Sequence, residues 1–158
     1  MYHRTCTFIG DQHHSFFLKV VFLIQILRIV VFSQNHVSWK FSYDKTLHQV
    51  MAIGKIDPTW HIYSQKTDPN SGPVATILTV NKTQGVKPIG VFEENLVPHE
   101  IYDTNFESKV YLFEQEYQAS QNVKIKNVTE LSGSIFYMVC DDTKCLPPIE
   151  VPFTISIK

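Results

Sequence analysis

From Gln34 onward the apolar positions recur mostly every second residue, and turn-forming residues interrupt them at short intervals. Val37, Trp39, Phe41 and Tyr43 alternate with Ser38, Lys40 and Ser42, the pattern of a strand with one face buried. Leu47 to Ile56 reads as a second strand, ended by Asp57-Pro58, and Trp60 to Tyr63 as a third. The breaker-rich run Thr67-Asp68-Pro69-Asn70-Ser71-Gly72-Pro73 closes it. Val74 to Val80 follows as a strand, with Gly85 and Pro88 marking the next turn. Val110 to Tyr117, Val123 to Val128, Ile135 to Cys140 and Val151 to Ile157 complete the set. No segment holds a sustained helical period with caps. Roughly seven to nine short strands predict an all-β fold, an immunoglobulin-like β-sandwich. It occupies residues 34–158 as one domain, without internal repeat or low-complexity tract.

The first 33 residues break this pattern. His3 and Arg4 lead through Lys19 into Val20 to Leu27, and the apolar run resumes after Arg28 as Ile29 to Phe32. Val31-Phe32-Ser33 before Gln34 suits signal peptidase, so residues 1–33 read as an export signal. The alternative is an uncleaved membrane anchor. Phe16 to Phe32 is shorter than the roughly 20 residues a span needs, and it carries Lys19, Gln25 and Arg28. Export implies a periplasmic protein in a compartment where disulfides persist.

Charge and composition narrow the function classes. The formal net charge of -1 provides no overall basic field for nucleic acid or anionic lipid. Three of the seven histidines (His3, His13, His14) fall in the leader, and His36, His48, His61 and His99 lack ligand spacing. No metal site and no bound cofactor are expected. No Gly-rich phosphate loop or nucleophile elbow is present.

Export also sharpens the cysteine count. Cys6 lies in the leader, which leaves Cys140 and Cys145 as the thiols of the mature chain. They are five positions apart, unlike the wide inter-sheet pair of antibody domains. A strand run ends at Cys140, Asp141-Asp142-Thr143-Lys144 favours a turn, and Cys145 starts the return. Such a reversal can bring two β-carbons within the roughly 4 Å that a disulfide requires. As a local staple, so short a loop contributes only about 2 kcal/mol. As an exchange centre, the pair would cycle between dithiol and disulfide, with Lys144 favouring a thiolate and Asp141 and Asp142 opposing it. Spacing alone leaves both uses open, and with them a non-enzymatic immunoglobulin-like binding domain carrying a structural hairpin disulfide.

Tyr137-x-x-Cys140, the Asp-containing spacer and Cys145-Leu146-Pro147-Pro148 resemble the amino-terminal periplasmic domain of the thiol:disulfide interchange protein DsbD. The form is similar to that of Bacteroidota-type relatives, the disulfide bond corrector family. Asp57 to Ser64 resembles the family's early aromatic strand, and Glu100 to Phe106 its acidic-aromatic loop. The resemblance implies an immunoglobulin-like fold and protein-disulfide reductase activity at Cys140 and Cys145; either cysteine could form the mixed disulfide, Cys145 being the preferred one. It implies thioredoxin-like donor and acceptor partners, among them exported oxidoreductases and cytochrome c maturation factors. It further implies an aromatic cap over the disulfide: Phe106 is the candidate, Tyr102 the second choice, with Tyr63 and Tyr137 lining the site. The family continues into a membrane domain and a thioredoxin domain not found in this sequence, so it reads either as a stand-alone relay with the membrane electron carrier on a separate chain or as a truncated product. A module docking its partners in turn is expected to be a monomer.

Overall fold

The structure, a computed structural model, describes residues 35–157; the export-signal reading of residues 1–33 lies outside them. Eleven strands run in chain order: β1 (Val37–Asp44), β2 (Gln49–Ile56), β3 (His61–Tyr63), β4 (Ile77–Val80), β5 (Val86–Glu94), β6 (His99–Asp103), β7 (Ser108–Glu114), β8 (Glu116–Ile125), β9 (Glu130–Tyr137), β10 (Val139–Cys140) and β11 (Ile149–Ser156). Among the described residues a single 3-10 turn, Pro69–Ser71, interrupts them. They form three sheets, ordered β1-β2-β8-β5, β10-β3-β7-β6 and β11-β9-β4. The named strand pairings are all antiparallel, and the architecture is the immunoglobulin-like sandwich expected.

Period-two alternation builds the core. Val37, Val50, Ala52, Tyr117 and Ala119 turn inward from the first sheet, and Leu78, Leu131, Ile135 and Phe153 face them from the third. Aromatic rings bridge the layers: Phe41 stacks on Phe153 at 4.3 Å, and Trp39 meets Tyr137 edge-on at 5.2 Å. The middle sheet is continuous with both layers. β7 passes into β8 at Gln115, whose φ of 63° breaks the strand, and β9 passes into β10 at Met138.

The strands depart from expectation where the side-chain pattern is misleading. β5 runs through Pro88, which marks a turn in the sequence; as the edge strand of its sheet it can lose a donor there. Its pairing with β8 shifts between Ile89 and Glu93, a bulge that Gly90 accommodates at φ 68°. β6 shows no alternation because all its residues but Asp103 are exposed. The fourth predicted strand shortens to Ile77–Val80, while β9 starts earlier than predicted, at Glu130.

Candidate functional site

The three short strands of the middle sheet sort their side chains by parity. Val139 pairs with Ile62, and Ile62 with Phe113; all three join the main core. Their neighbours face the opposite way: Cys140 pairs with His61, His61 with Glu114, and Tyr63 with Leu112. On that second face Tyr63, Val110, Leu112 and Cys140 form a separate apolar cluster, packed over by Phe106, Met138 and Cys145.

Cys140 and Cys145 form a disulfide, with Cα atoms 4.0 Å apart. The hydrogen bonds Leu146 N–H to Val139 O and Asp141 N–H to Lys144 O, each 2.9 Å, flank the pair. The cysteines thus occupy a non-hydrogen-bonded antiparallel position, where opposed side chains approach most closely. The Asp141 carboxylate closes the loop by accepting from Thr143 N–H at 2.8 Å, Thr143 Oγ1 at 2.7 Å and Lys144 N–H at 2.9 Å. These bonds from Thr143 and Lys144 hold its pKa below the usual carboxylate value, so it stays charged as a turn cap. Lys144 instead reaches over the Trp60 ring, 5.6 Å from its centroid. The two cysteines are unequal: Cys140 is fully buried, whereas Cys145 is partly exposed.

Phe106 covers the cluster from the four-residue loop joining β6 to β7. Three contacts fix that loop. Asp103 Oδ1 accepts from Asn105 N–H at 2.7 Å, Asn105 Nδ2 donates to the Asp141 carbonyl at 3.3 Å, and Ser108 Oγ donates to the Ser71 carbonyl at 2.8 Å. The ring meets Tyr63 edge-on at 5.9 Å. Its other side lies against Gly72, where an added Cβ would stand 2.4 Å from Phe106 Cδ1. Gly72 has φ 106°, so the glycine serves both the turn and the seat of the ring.

Of the residues proposed from sequence, Cys140, Cys145, Phe106 and Tyr63 come together. Tyr102 is exposed on β6 and does not cover the disulfide. Tyr137 is fully buried in the main core, with its hydroxyl bonded to Asn35 Oδ1. Two polar residues that sequence reasoning did not assign to the site belong beside it. Tyr63 donates to the buried Asp103 at 2.6 Å, and His61 Nε2 lies 3.1 Å from the Tyr63 oxygen. Because the tyrosine proton is committed to Asp103, the His61 Nε2–H is the donor of the second bond. The visible signal was His61-x-Tyr63 on one face of a strand, with Asp103 opening a loop. Among the described residues, no three His, Cys, Asp or Glu side chains gather as a metal-ion set.

Burial and the Asp103 bond raise the Tyr63 pKa far above its ordinary value, so the hydroxyl remains a donor. Burial lowers the His61 pKa below 6.5, against the weaker pull of Asp103, Glu114, Asp142 and Asp141. The folded protein therefore holds His61 neutral, while the unfolded chain takes up a proton near pH 6.5. Stability from this group is complete above that pH and is lost as the pH falls from there through the folded value. Thermal melts from neutral to mildly acidic pH are expected to show the decline, and His61→Gln to flatten it. Parallel curves for the two proteins would contradict this assignment.

The family model described as thiol:disulfide interchange protein DsbD, N-terminal, matches residues 31–156. No curated protein is significantly similar in sequence. Among solved structures, the chain is similar to the Neisseria meningitidis DsbD N-terminal domain in the reduced form. The TM-score is 0.58 at 15% identity, over 77% of this chain and 85% of that one. The DsbD N-terminal domain in complex with the PilB N-terminal domain, also from Neisseria meningitidis, gives 0.53 at 15%, over 80% and 87%. The N-terminal periplasmic domain of ScsB from Proteus mirabilis gives 0.52 at 11%, over 76% of this chain but 45% of that one. At such identities the structures testify to a shared fold, and the family model adds the sequence match along most of the chain. The chain belongs to the DsbD N-terminal family of thiol:disulfide interchange domains.

Proposed function

We propose that the chain is a periplasmic protein-disulfide reductase module that relays electrons through Cys140 and Cys145. A thioredoxin-like donor reduces it, and exported oxidoreductases or cytochrome c maturation factors oxidise it. The observation that carries this reading is the asymmetry of the disulfide: a buried Cys140, a partly exposed Cys145 and the Phe106 ring packed on the same apolar cluster.

In the reductive step the donor's thiolate attacks Sγ of Cys145, the sulfur within reach. The Cys140–Cys145 bond breaks and Cys140 leaves as a thiolate. A second donor thiol then attacks the donor sulfur of the mixed disulfide and releases Cys145. Two electrons pass to this chain, and the donor ends as a disulfide. A charge on the fully buried Cys140 is unfavourable, so it takes up a proton as it forms. His61, directly across the ladder and bonded through Tyr63 to Asp103, is the polar group best placed to steady that transfer.

The test is direct. Reduced thioredoxin-fold protein is expected to reduce the disulfide rapidly, and the pair's potential should lie above the roughly −300 mV below which structural disulfides sit. A lower potential with no exchange would leave only a hairpin staple in a binding domain. The cap has its own check. Phe106→Ala should let dithiothreitol or glutathione reduce the disulfide at least about tenfold faster by opening access to sulfur. An unchanged rate would remove Phe106 from the mechanism.

A further inference from the structure

At the far end of the first sheet from the disulfide, a groove of about 850 Å³ opens along β5 and β8. The disulfide end adjoins Glu114 and the start of β8, and the groove adjoins the end of β8. The ten residues of β8 separate the two by about 30 Å of strand. Lys82, Lys87, Lys124 and Lys126 line the groove together with the exposed Ile89, and no aspartate or glutamate does. Four of the chain's 14 basic residues thus gather in one concavity although the net charge is -1.

The pairing of strands makes the concentration of charge sharper. Lys87 and Lys124 stand directly opposite each other in the ladder, which puts both on one face. Like charges so placed destabilise a sheet, and among the described residues no carboxylate makes an ion pair with any of the four lysines. An anion supplied from outside would relieve that repulsion.

Shape and lining narrow the occupant. The groove is too large for a single phosphate, and its concavity keeps its floor away from a flat bilayer. No Phe, Tyr or Trp lines it for a nucleobase to stack on. β5 is an edge strand, but Pro88 and the bulge at Gly90 deny an incoming chain a regular ladder. Recognition must therefore act through side chains. We propose that the groove binds an extended acidic segment of a partner protein, its carboxylates paired with the lysines and an apolar side chain seated on the exposed Ile89. Held at this end, a partner leaves the disulfide exposed and raises the effective concentration of whatever redox face is linked to it.

A fluorescein-labelled, glutamate-rich peptide with interspersed valines tests this by anisotropy against the full chain. Binding is expected to weaken with added salt and to fall at least about tenfold in Lys87→Glu/Lys124→Glu, as expected for losing and reversing two charges. Lys82→Glu/Lys126→Glu, at the turn beside β5, gives the same readout should the first variant fold poorly. Reduction of the disulfide by dithiothreitol should be unchanged in either, which separates this groove from the exchange site. Equal peptide binding by wild type and the lysine variants would overturn the proposal. So would lysine-dependent binding to phosphatidylglycerol vesicles without binding to the peptide.

Discussion

Cys145→Ser is expected to abolish exchange with a reduced thioredoxin-fold protein, and Cys140→Ser to abolish turnover while leaving one reactive thiol. The two variants should differ because the two sulfurs are placed differently. In Cys145→Ser the remaining thiol is Cys140, fully buried in the cluster on which Phe106 packs, so aromatic disulfide reagents should label it slowly. In Cys140→Ser the remaining thiol is partly exposed at the start of the return strand and should be labelled quickly. With a thioredoxin-fold partner that keeps only its attacking cysteine, Cys140→Ser should accumulate a mixed disulfide and Cys145→Ser should not. Turnover should drop by at least about three orders of magnitude in both, since a serine hydroxyl is no substitute for a thiolate. Loss of the staple itself removes only about 2 kcal/mol, so both variants should remain folded. Equal labelling rates, or trapping through Cys140, would reverse the assignment of the attacked sulfur.

That asymmetry was only half visible in the sequence. The turn between the cysteines could be read from Asp141-Asp142-Thr143-Lys144, and the structure shows Asp141 closing it. Alternation from Val37 to Tyr43 was equally legible, because β1 has one face against the core. Which cysteine is buried depends on strand parity across β3 and β10, a pairing between residues nearly 80 positions apart. Tyr137 shows the same limit from the other side. Three residues before Cys140 in sequence, it belongs to β9 and faces the main core, because parity and the change of sheet at Met138 send it there. β6 was silent for a simpler reason. A strand exposed on both faces has no apolar alternation to read, yet it delivers Asp103 and the loop of Phe106 to the site. His61 looked like one of several scattered histidines until the ladder put it opposite Cys140.

Gly133→Val should produce the largest loss of stability among single substitutions in the sandwich. Gly133 sits in β9, the central strand of its sheet, opposite Val80 of β4 and Phe153 of β11. An added Cβ would stand 2.1 Å from the Thr79 carbonyl oxygen and 2.5 Å from Phe153 Cζ. The ring cannot yield freely, because it is stacked on Phe41 at 4.3 Å. The carbonyl belongs to the backbone of the paired strand, so relief requires β4 and β9 to separate. Overpacking of this kind costs about 3 kcal/mol or more, a large share of the 5–15 kcal/mol typical of a domain. At roughly 3–4 °C per kcal/mol for a domain of this size, the melting temperature should fall by about 10 °C. Phe153→Leu in the same chain should recover little, since the backbone clash remains. Gly54→Ala is the useful contrast: the three atoms nearest its Cβ all belong to the Trp39 ring, the closest at 2.7 Å, so relief does not require two strands to separate. The consequence reaches the redox site, because β9 runs on through Met138 into β10 and carries Cys140. Any fraction of Gly133→Val that folds with β9 displaced should therefore show a disulfide reduced faster by small thiols. A melting point within a few degrees of wild type would mean that β4 and β9 do not pair in this register.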